Sequence, residues 1–118
     1  MSRSIRVDIS LAILIALAAL LLVRMHNANG SKLAAASALE GYRLAEAWCK
    51  PCHAIGPHMS GTSDQAPGFA AIANRRGTTA LSLRVFLNTS HQSMPNLVIA
   101  PVQAEALANY ILSLKNQD

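Results

Sequence analysis

The chain has 118 residues, of which 52% are apolar and only five are aromatic. This length allows one small domain with a tail, and the abundance of alanine and leucine favours helices over a sheet sandwich. The formal net charge is +4, and +3 of it lies in residues 1–38, so the rest of the chain lacks the basic cluster that a nucleic-acid-binding surface requires.

The first predicted element is an apolar helix near the N-terminus, assigned to residues 1–24. Two arginines precede the uncharged run from Ile9 to Val23, and Arg24 follows it directly. The run is shorter than the ~20 residues of a typical membrane span, but the flanking arginines can reach the two interfaces. We therefore expect an uncleaved anchor, with a cleaved secretory signal ending near Ala28 and Gly30 as the alternative. Both interpretations predict that the remaining chain is exported.

Residues 25–37, MHNANGSKLAAAS, are predicted to be a linker, followed by a single domain over residues 38–118. The stretch from Ser37 to Glu40 matches the capping box S-x-x-E, so we expect a helix to begin there and run to the cysteines. Gly41 lies inside this predicted helix. It is either a tolerated surface glycine or a position where another helix crosses closely.

Three more helices are predicted after a loop over residues 54–68, and no alternating strand pattern is present, so the fold class is all-α. The first is expected at 69–76, closed by Gly77, and the second from Thr78 or Thr79 to about Asn88. The last should begin at Pro101, because proline suits the first helical turn. The residues predicted to face inward are Leu81, Val85 and Phe86 in the second helix, and Val102, Ala106, Leu107, Tyr110, Ile111 and Leu114 in the last.

The only two cysteines of the chain lie in WCKPCH, residues 48–53, which fits three kinds of chemistry. A thioredoxin-like thiol–disulfide site needs a strand leading into the motif, whereas the lead-in GYRLAEAW is helical. A structural zinc ion needs four ligands, and neither His58 nor His91 completes a familiar paired spacing. C-x-x-C-H is also the attachment signal for haem c, in which Cys49 and Cys52 form thioethers and His53 reaches the iron.

Haem c is the favoured interpretation because it also explains two other features of the chain. Export would leave two free thiols exposed to oxidation, and thioether formation consumes both of them. A domain of about 80 residues with so few aromatic side chains buries little apolar surface and needs an additional source of stability. One covalently held macrocycle provides it.

The sixth iron ligand is predicted to be Met94. It follows His53 by 41 residues, beyond two predicted helices, and lies in a loop beside Pro95. His91, in the same loop, is the alternative ligand. A thioether favours Fe(II), so His/Met ligation raises the reduction potential, and an iron with both axial positions filled binds no substrate readily.

Taken together, these features resemble a small class I cytochrome c over about residues 38–116. Gly41 stands eight residues before Cys49, as in that family, and the stretches APGFAAIANRRG and FLNTSHQSMPNL resemble its segment after the haem motif and its distal methionine loop. The resemblance implies that the first and last helices cross at Gly41, with Leu107 and Tyr110 as the partners. It also implies that the carbonyl of Pro67 orients His53 through Nδ1. Ala45 stands where the family often has an aromatic residue.

The expected function is therefore one-electron transfer on the periplasmic side of a bacterial inner membrane, not enzymatic catalysis. The expected partners are a quinol-oxidising complex or dehydrogenase as donor and a terminal oxidase or reductase as acceptor. One alternative is a haem c subunit of a membrane redox enzyme complex. A minor alternative is a thiol–disulfide protein that uses Cys49 and Cys52.

Overall fold

The structure is a computed structural model that describes residues 3–59, 61, 66–89, 94 and 97–117. Four helices and no strand occur in these ranges: α1 (Arg3–Trp48), α2 (Phe69–Asn74), α3 (Ala80–Leu87) and α4 (Pro101–Ser113). The predicted all-α fold class is confirmed. Contacts within the chain divide it into two units, Met1–Leu33 and Ala34–Asp118.

The first unit is the N-terminal part of α1. In the candidate span Ile5–Trp48, the most apolar window has a mean hydropathy of 2.4 and is 0% buried. By length and composition this helix is able to cross a membrane, but a signal sequence near the N-terminus would have the same properties. The anchor and the cleaved signal therefore both stay predictions.

The helix predicted to begin at Ser37 does not begin there, because α1 runs without interruption through residues 25–37. The predicted linker over residues 25–37 is therefore helical, and the division of the chain into three parts stays a prediction. The alanines at positions 34–36 are strong helix formers and carry the helix past the capping-box signal. The Ser37 hydroxyl instead accepts a hydrogen bond of 2.9 Å from Asn109 Nδ2 on α4.

The second unit is built around a small apolar core to which all four helices and the loops contribute. Its largest fully buried side chains are Ile55 and Leu107. The remaining core residues include many alanines and only two aromatic rings: Ala45, Cys49, Phe69, Ala73, Leu83, Ile99, Ala104, Ala108, Tyr110, Ile111 and Leu114. Apolar burial in this unit is therefore modest, as the sequence indicated.

The bounds of the three short helices agree closely with the predicted ones. The helix α2 ends two residues early at Asn74, and Gly77 follows with a positive φ of 85°. The helix α3 is capped by Thr79, whose hydroxyl accepts from Ser82 N while Ser82 Oγ accepts from Thr79 N. Proline at the first position of α4 occurs as expected.

The predicted inward face of α3 is wrong. Leu83 is the buried residue of this helix, whereas Leu81, Val85 and Phe86 are all at least half exposed. The sequence ALSLRVFL is apolar on most sides, so spacing alone does not identify its inner face. In α4, Val102 is also exposed, while the other five predicted residues are buried.

Gly41 is the point of closest approach between α1 and α4. A Cβ atom built at Gly41 would lie 2.0 Å from Ala106 O and 2.7 Å from Tyr110 Cβ. No side chain fits at that distance, so the glycine is required for the crossing and is not a tolerated surface residue. Tyr110 is a partner as expected, but the backbone of Ala106, and not Leu107, makes the nearest contact.

Replacing Gly41 with alanine is expected to lower the free energy of unfolding by about 2–3 kcal/mol, because the two helices must move apart. Gly30→Ala is the matched control on the same helix, since a Cβ there meets nothing within 4 Å. The control should leave stability unchanged or raise it by up to ~1 kcal/mol through helix propensity. Chemical denaturation of the full-length protein in detergent measures both, and equal effects would contradict the close crossing.

Candidate functional site

The candidate site begins where α1 ends. The helix stops at Trp48, three residues before Pro51, which cannot continue it. The carbonyl of Cys49 then accepts hydrogen bonds from the backbone N–H of Cys52, at 3.0 Å, and of His53, at 2.8 Å. This turn folds the end of the motif back on its beginning. Both cysteines and the histidine are therefore held together by local backbone bonds.

The two cysteines are free thiols in different surroundings. Cys49 is buried and Cys52 is exposed. Burial raises the pKa of the Cys49 thiol to about 11. A thiol–disulfide enzyme requires an attacking cysteine with a lowered pKa, because the thiolate is the nucleophile. The environment of Cys49 therefore works against the thioredoxin-like interpretation.

The imidazole of His53 is oriented by a backbone carbonyl. Its Nδ1 lies 2.7 Å from Pro67 O, which is the contact that the family resemblance implied. A carbonyl oxygen only accepts hydrogen bonds, so Nδ1 carries the proton and the lone pair lies on Nε2. The ring also packs against Phe69, with centroids 5.4 Å apart. His53 is thus fixed in the tautomer and orientation that a metal ligand requires.

Two further contacts fix the residues after His53, and the sequence did not predict them. The N–H of Phe69 donates to Ala54 O at 2.8 Å. The hydroxyl of Tyr110, on α4, donates to Ile55 O, also at 2.8 Å. The only sequence signal for the second contact was the expected position of Tyr110 at the helix crossing, which did not indicate where its hydroxyl points.

Met94 is described as a half-buried residue between α3 and α4. Its neighbours in the loop, including Pro95 and the alternative ligand His91, lie outside the described residues. The choice of Met94 over His91 as the sixth ligand therefore stays a prediction.

The zinc interpretation gains no support from the described part of the chain. No group of three or more histidine, cysteine or acidic side chains there is arranged to hold a metal ion. A groove of about 560 Å³ between α3 and α4 contains none of the predicted site residues. Its most polar feature is an ion pair between Arg84 and Glu105, whose side chains are 40% and 45% exposed. Such partly exposed pairs contribute little to stability.

The donor set at the motif fits a covalently attached haem. Two free thiols lie on one short turn, as thioether attachment to the two vinyl groups of one haem requires. The adjacent His53 imidazole carries its proton on Nδ1, so Nε2 is the nitrogen that would bind a metal. Several large apolar side chains near the motif and in the loop before α4 are partly or largely exposed. A large apolar group bound at the motif would cover apolar surface of this kind. These side chains are Trp48, Met59, Leu97 and Val98.

Comparison with known proteins gives one significant curated relative. The chain is 33% identical over 87 residues to the protein named cytochrome c-552 of Bradyrhizobium diazoefficiens. The match covers 74% of this chain and 84% of the relative. No model of a protein family matches the chain. No solved structure gives a significant match either.

Proposed function

The chain belongs to the c-type cytochromes, and on that premise we propose that it is a one-electron carrier with one covalently bound haem c. The observation that carries the proposal is the turn at Cys49–His53, with His53 Nδ1 on the Pro67 carbonyl. When bound, haem iron supplies one-electron chemistry by alternating between Fe(II) and Fe(III). The residues of this chain hold, orient and shield the group.

Cys49 and Cys52 are proposed to provide the covalent attachment. Each sulfur would form a thioether bond to a haem vinyl carbon, and the thiol proton would move to the other carbon of that vinyl group. The addition is balanced without an oxidant or reductant, and no leaving group is released. The raised pKa of Cys49 has no consequence once its sulfur is a thioether.

His53 and Met94 are proposed as the two axial ligands. Because His53 Nδ1–H donates a hydrogen bond to the Pro67 carbonyl, Nε2 would be available for the iron. The thioether of Met94 is a soft donor that favours Fe(II), so we infer a comparatively high reduction potential. With both axial positions filled by the chain, electrons would pass through the haem edge, and no substrate would bind at the iron.

The carrier is proposed to act on the periplasmic side of the inner membrane, held there by the apolar part of α1. The complete exposure of the apolar window in this helix supports a lipid environment. We propose protein redox partners on both sides of the reaction. The donor would be a quinol-oxidising complex or a dehydrogenase, and the acceptor a terminal oxidase or reductase.

A second candidate function is that of a haem c subunit in a membrane redox enzyme complex. The same exposed apolar helix supports this alternative, because transmembrane helices of other subunits would be able to cover it in place of lipid. A free carrier would leave its partners in high salt, since electrostatic contacts are screened. A subunit would stay with the complex through purification in detergent.

The protein should retain its haem after denaturation in acid acetone, because two thioether bonds survive loss of the fold. Replacing both Cys49 and Cys52 with serine should make the pigment fully extractable, and the single replacements should each leave one link. The pyridine haemochrome spectrum counts these links, because each vinyl group converted to a thioether shifts the band. Free extraction of haem from the unaltered protein would refute covalent attachment.

Replacing Met94 with alanine should open one axial position. Cyanide or carbon monoxide should then bind, and the reduction potential should fall because Fe(II) loses its soft donor. The oxidised protein should lose its weak near-infrared sulfur-to-iron band.

His91→Ala is the matched control from the same loop and should keep that band and stay closed to added ligands. If His91→Ala opens the iron instead, the ligation is bis-histidine. A low-potential carrier would then replace the high-potential one proposed.

The mature protein should begin at or near Met1 and fractionate with membranes if the apolar run is an anchor. Intact-mass measurement decides this directly. A mass that starts at Ser31 would show cleavage after Gly30, and the protein should then be found in the soluble periplasmic fraction.

A further inference from the structure

The three residues that begin with His53 each form a hydrogen bond to another part of the fold, two of them to the segment that begins α2 and one to α4. His53 Nδ1 bonds to Pro67 O before α2, at 2.7 Å. The carbonyl of Ala54 accepts from the first N–H of α2, on Phe69, at 2.8 Å. The carbonyl of Ile55 accepts from the Tyr110 hydroxyl on α4, at 2.8 Å. The last is the only one of these three bonds made by α4.

Tyr110 is well placed to hold Ile55. It is 8% exposed, and Ile55 is 1% exposed, so the bond between them is shielded from water. Burial raises the pKa of the Tyr110 phenol, with smaller contributions from Tyr42 and Glu46, so the hydroxyl keeps the proton that it donates. A buried carbonyl deprived of this donor would be left without the partner that offsets its desolvation.

The ring of Tyr110 is itself held between two other rings. It lies edge-on to Tyr42, with centroids 5.4 Å apart and an interplanar angle of 74°. It also lies 6.4 Å from Phe69, which packs against His53. The rings therefore form a continuous series from the surface residue Tyr42 to His53.

Tyr42 provides the aromatic contact that Ala45 does not make. Ala45 is fully buried, at 0% exposure, where the resembling family often has a ring. Tyr42 precedes it by three residues and so lies on a neighbouring part of the same helical face. From there its ring reaches Tyr110 on the opposite side of the crossing at Gly41.

We propose that Tyr110 is a positioning residue for the iron ligand His53, and that Tyr42 keeps Tyr110 in place. Through Ile55 and Ala54, the Tyr110 hydroxyl limits the backbone freedom of His53. The Pro67 carbonyl fixes the rotation of the ring, and Tyr110 fixes the backbone that carries it. This inference rests on the proposed function, because it takes His53 as an axial ligand.

The test compares variants of the full-length protein with its haem attached. Tyr110→Phe removes the hydroxyl and keeps the ring. In the oxidised protein, proton NMR should show altered hyperfine shifts of the haem methyl groups and of the His53 ring, which report how the axial imidazole is oriented. Tyr42→Phe keeps the ring contact and loses only the exposed bond to Glu46, so it should leave these shifts in place. Tyr42→Ala should change them in the same sense as Tyr110→Phe.

Ser37→Ala is the control for stability alone. It removes a hydrogen bond between α1 and α4, the one from Asn109, and does not touch the segment from His53 to Ile55. It should lower the melting temperature and leave the hyperfine shifts unchanged. If Ser37→Ala moves the shifts as much as Tyr110→Phe does, or if Tyr110→Phe leaves them unchanged, the positioning role is refuted.

The result separates this inference from the proposed function. An unaltered protein without hyperfine-shifted His53 signals would refute axial ligation by His53 itself. Normal signals that do not respond to Tyr110→Phe would refute only the positioning role. If Tyr110→Phe yields no holoprotein, the pair Tyr42→Ala and Tyr42→Phe decides, and equal spectra for these two would refute the proposal.

Discussion

The contact between Gly41 and the backbone of Ala106 is the constraint on which the rest of the second unit depends. It brings α4 so close to α1 that no Cβ fits between them. One turn further along α4, Tyr110 is then near enough to pack against Tyr42 and to reach the Ile55 carbonyl. The segment that follows the cysteines is thereby attached to a helix that lies more than 50 residues away in sequence. A side chain at Gly41 would disturb this whole series of contacts.

The described core is small, and under the proposed function a covalently held haem would add to it. Most of its buried residues are alanine, leucine or isoleucine, and Phe69 and Tyr110 are its only buried aromatic residues. Small side chains let helices approach closely but bury little apolar area each. Large side chains such as Phe86 on α3 and Val98 in the loop before α4 are at least half exposed. The composition is that of a shell built to pack against a large apolar group.

Local signals in the sequence predicted much of this fold. They failed where contacts between residues distant in sequence determine the structure. The starts of α3 and α4 follow from Thr79 and Pro101, whose effects act within one turn. The Ser37 capping box is an equally local signal, but the surrounding alanines and the bond to Asn109 outweigh it. The inner face of α3 was missed because an apolar helix has no unique face. In the site, the spacing of Cys49, Cys52 and His53 predicted haem attachment, which agrees with the c-type relative, whereas the bond from Tyr110 to Ile55 depends on the assembled fold.

That last bond has a consequence for the order of events during biogenesis. The turn at the two cysteines is closed by backbone bonds within five residues, so a nascent chain can form it as soon as this stretch has emerged. The bond to Tyr110 spans 55 residues and requires the chain to have been synthesised as far as α4. Under the proposed function, covalent attachment of the haem can therefore precede folding. The backbone that carries His53 would be fixed only when α4 packs against the rest of the unit. On this argument, a chain that stops before α4 would be able to bind the haem covalently but would lack the Tyr110 bond to Ile55.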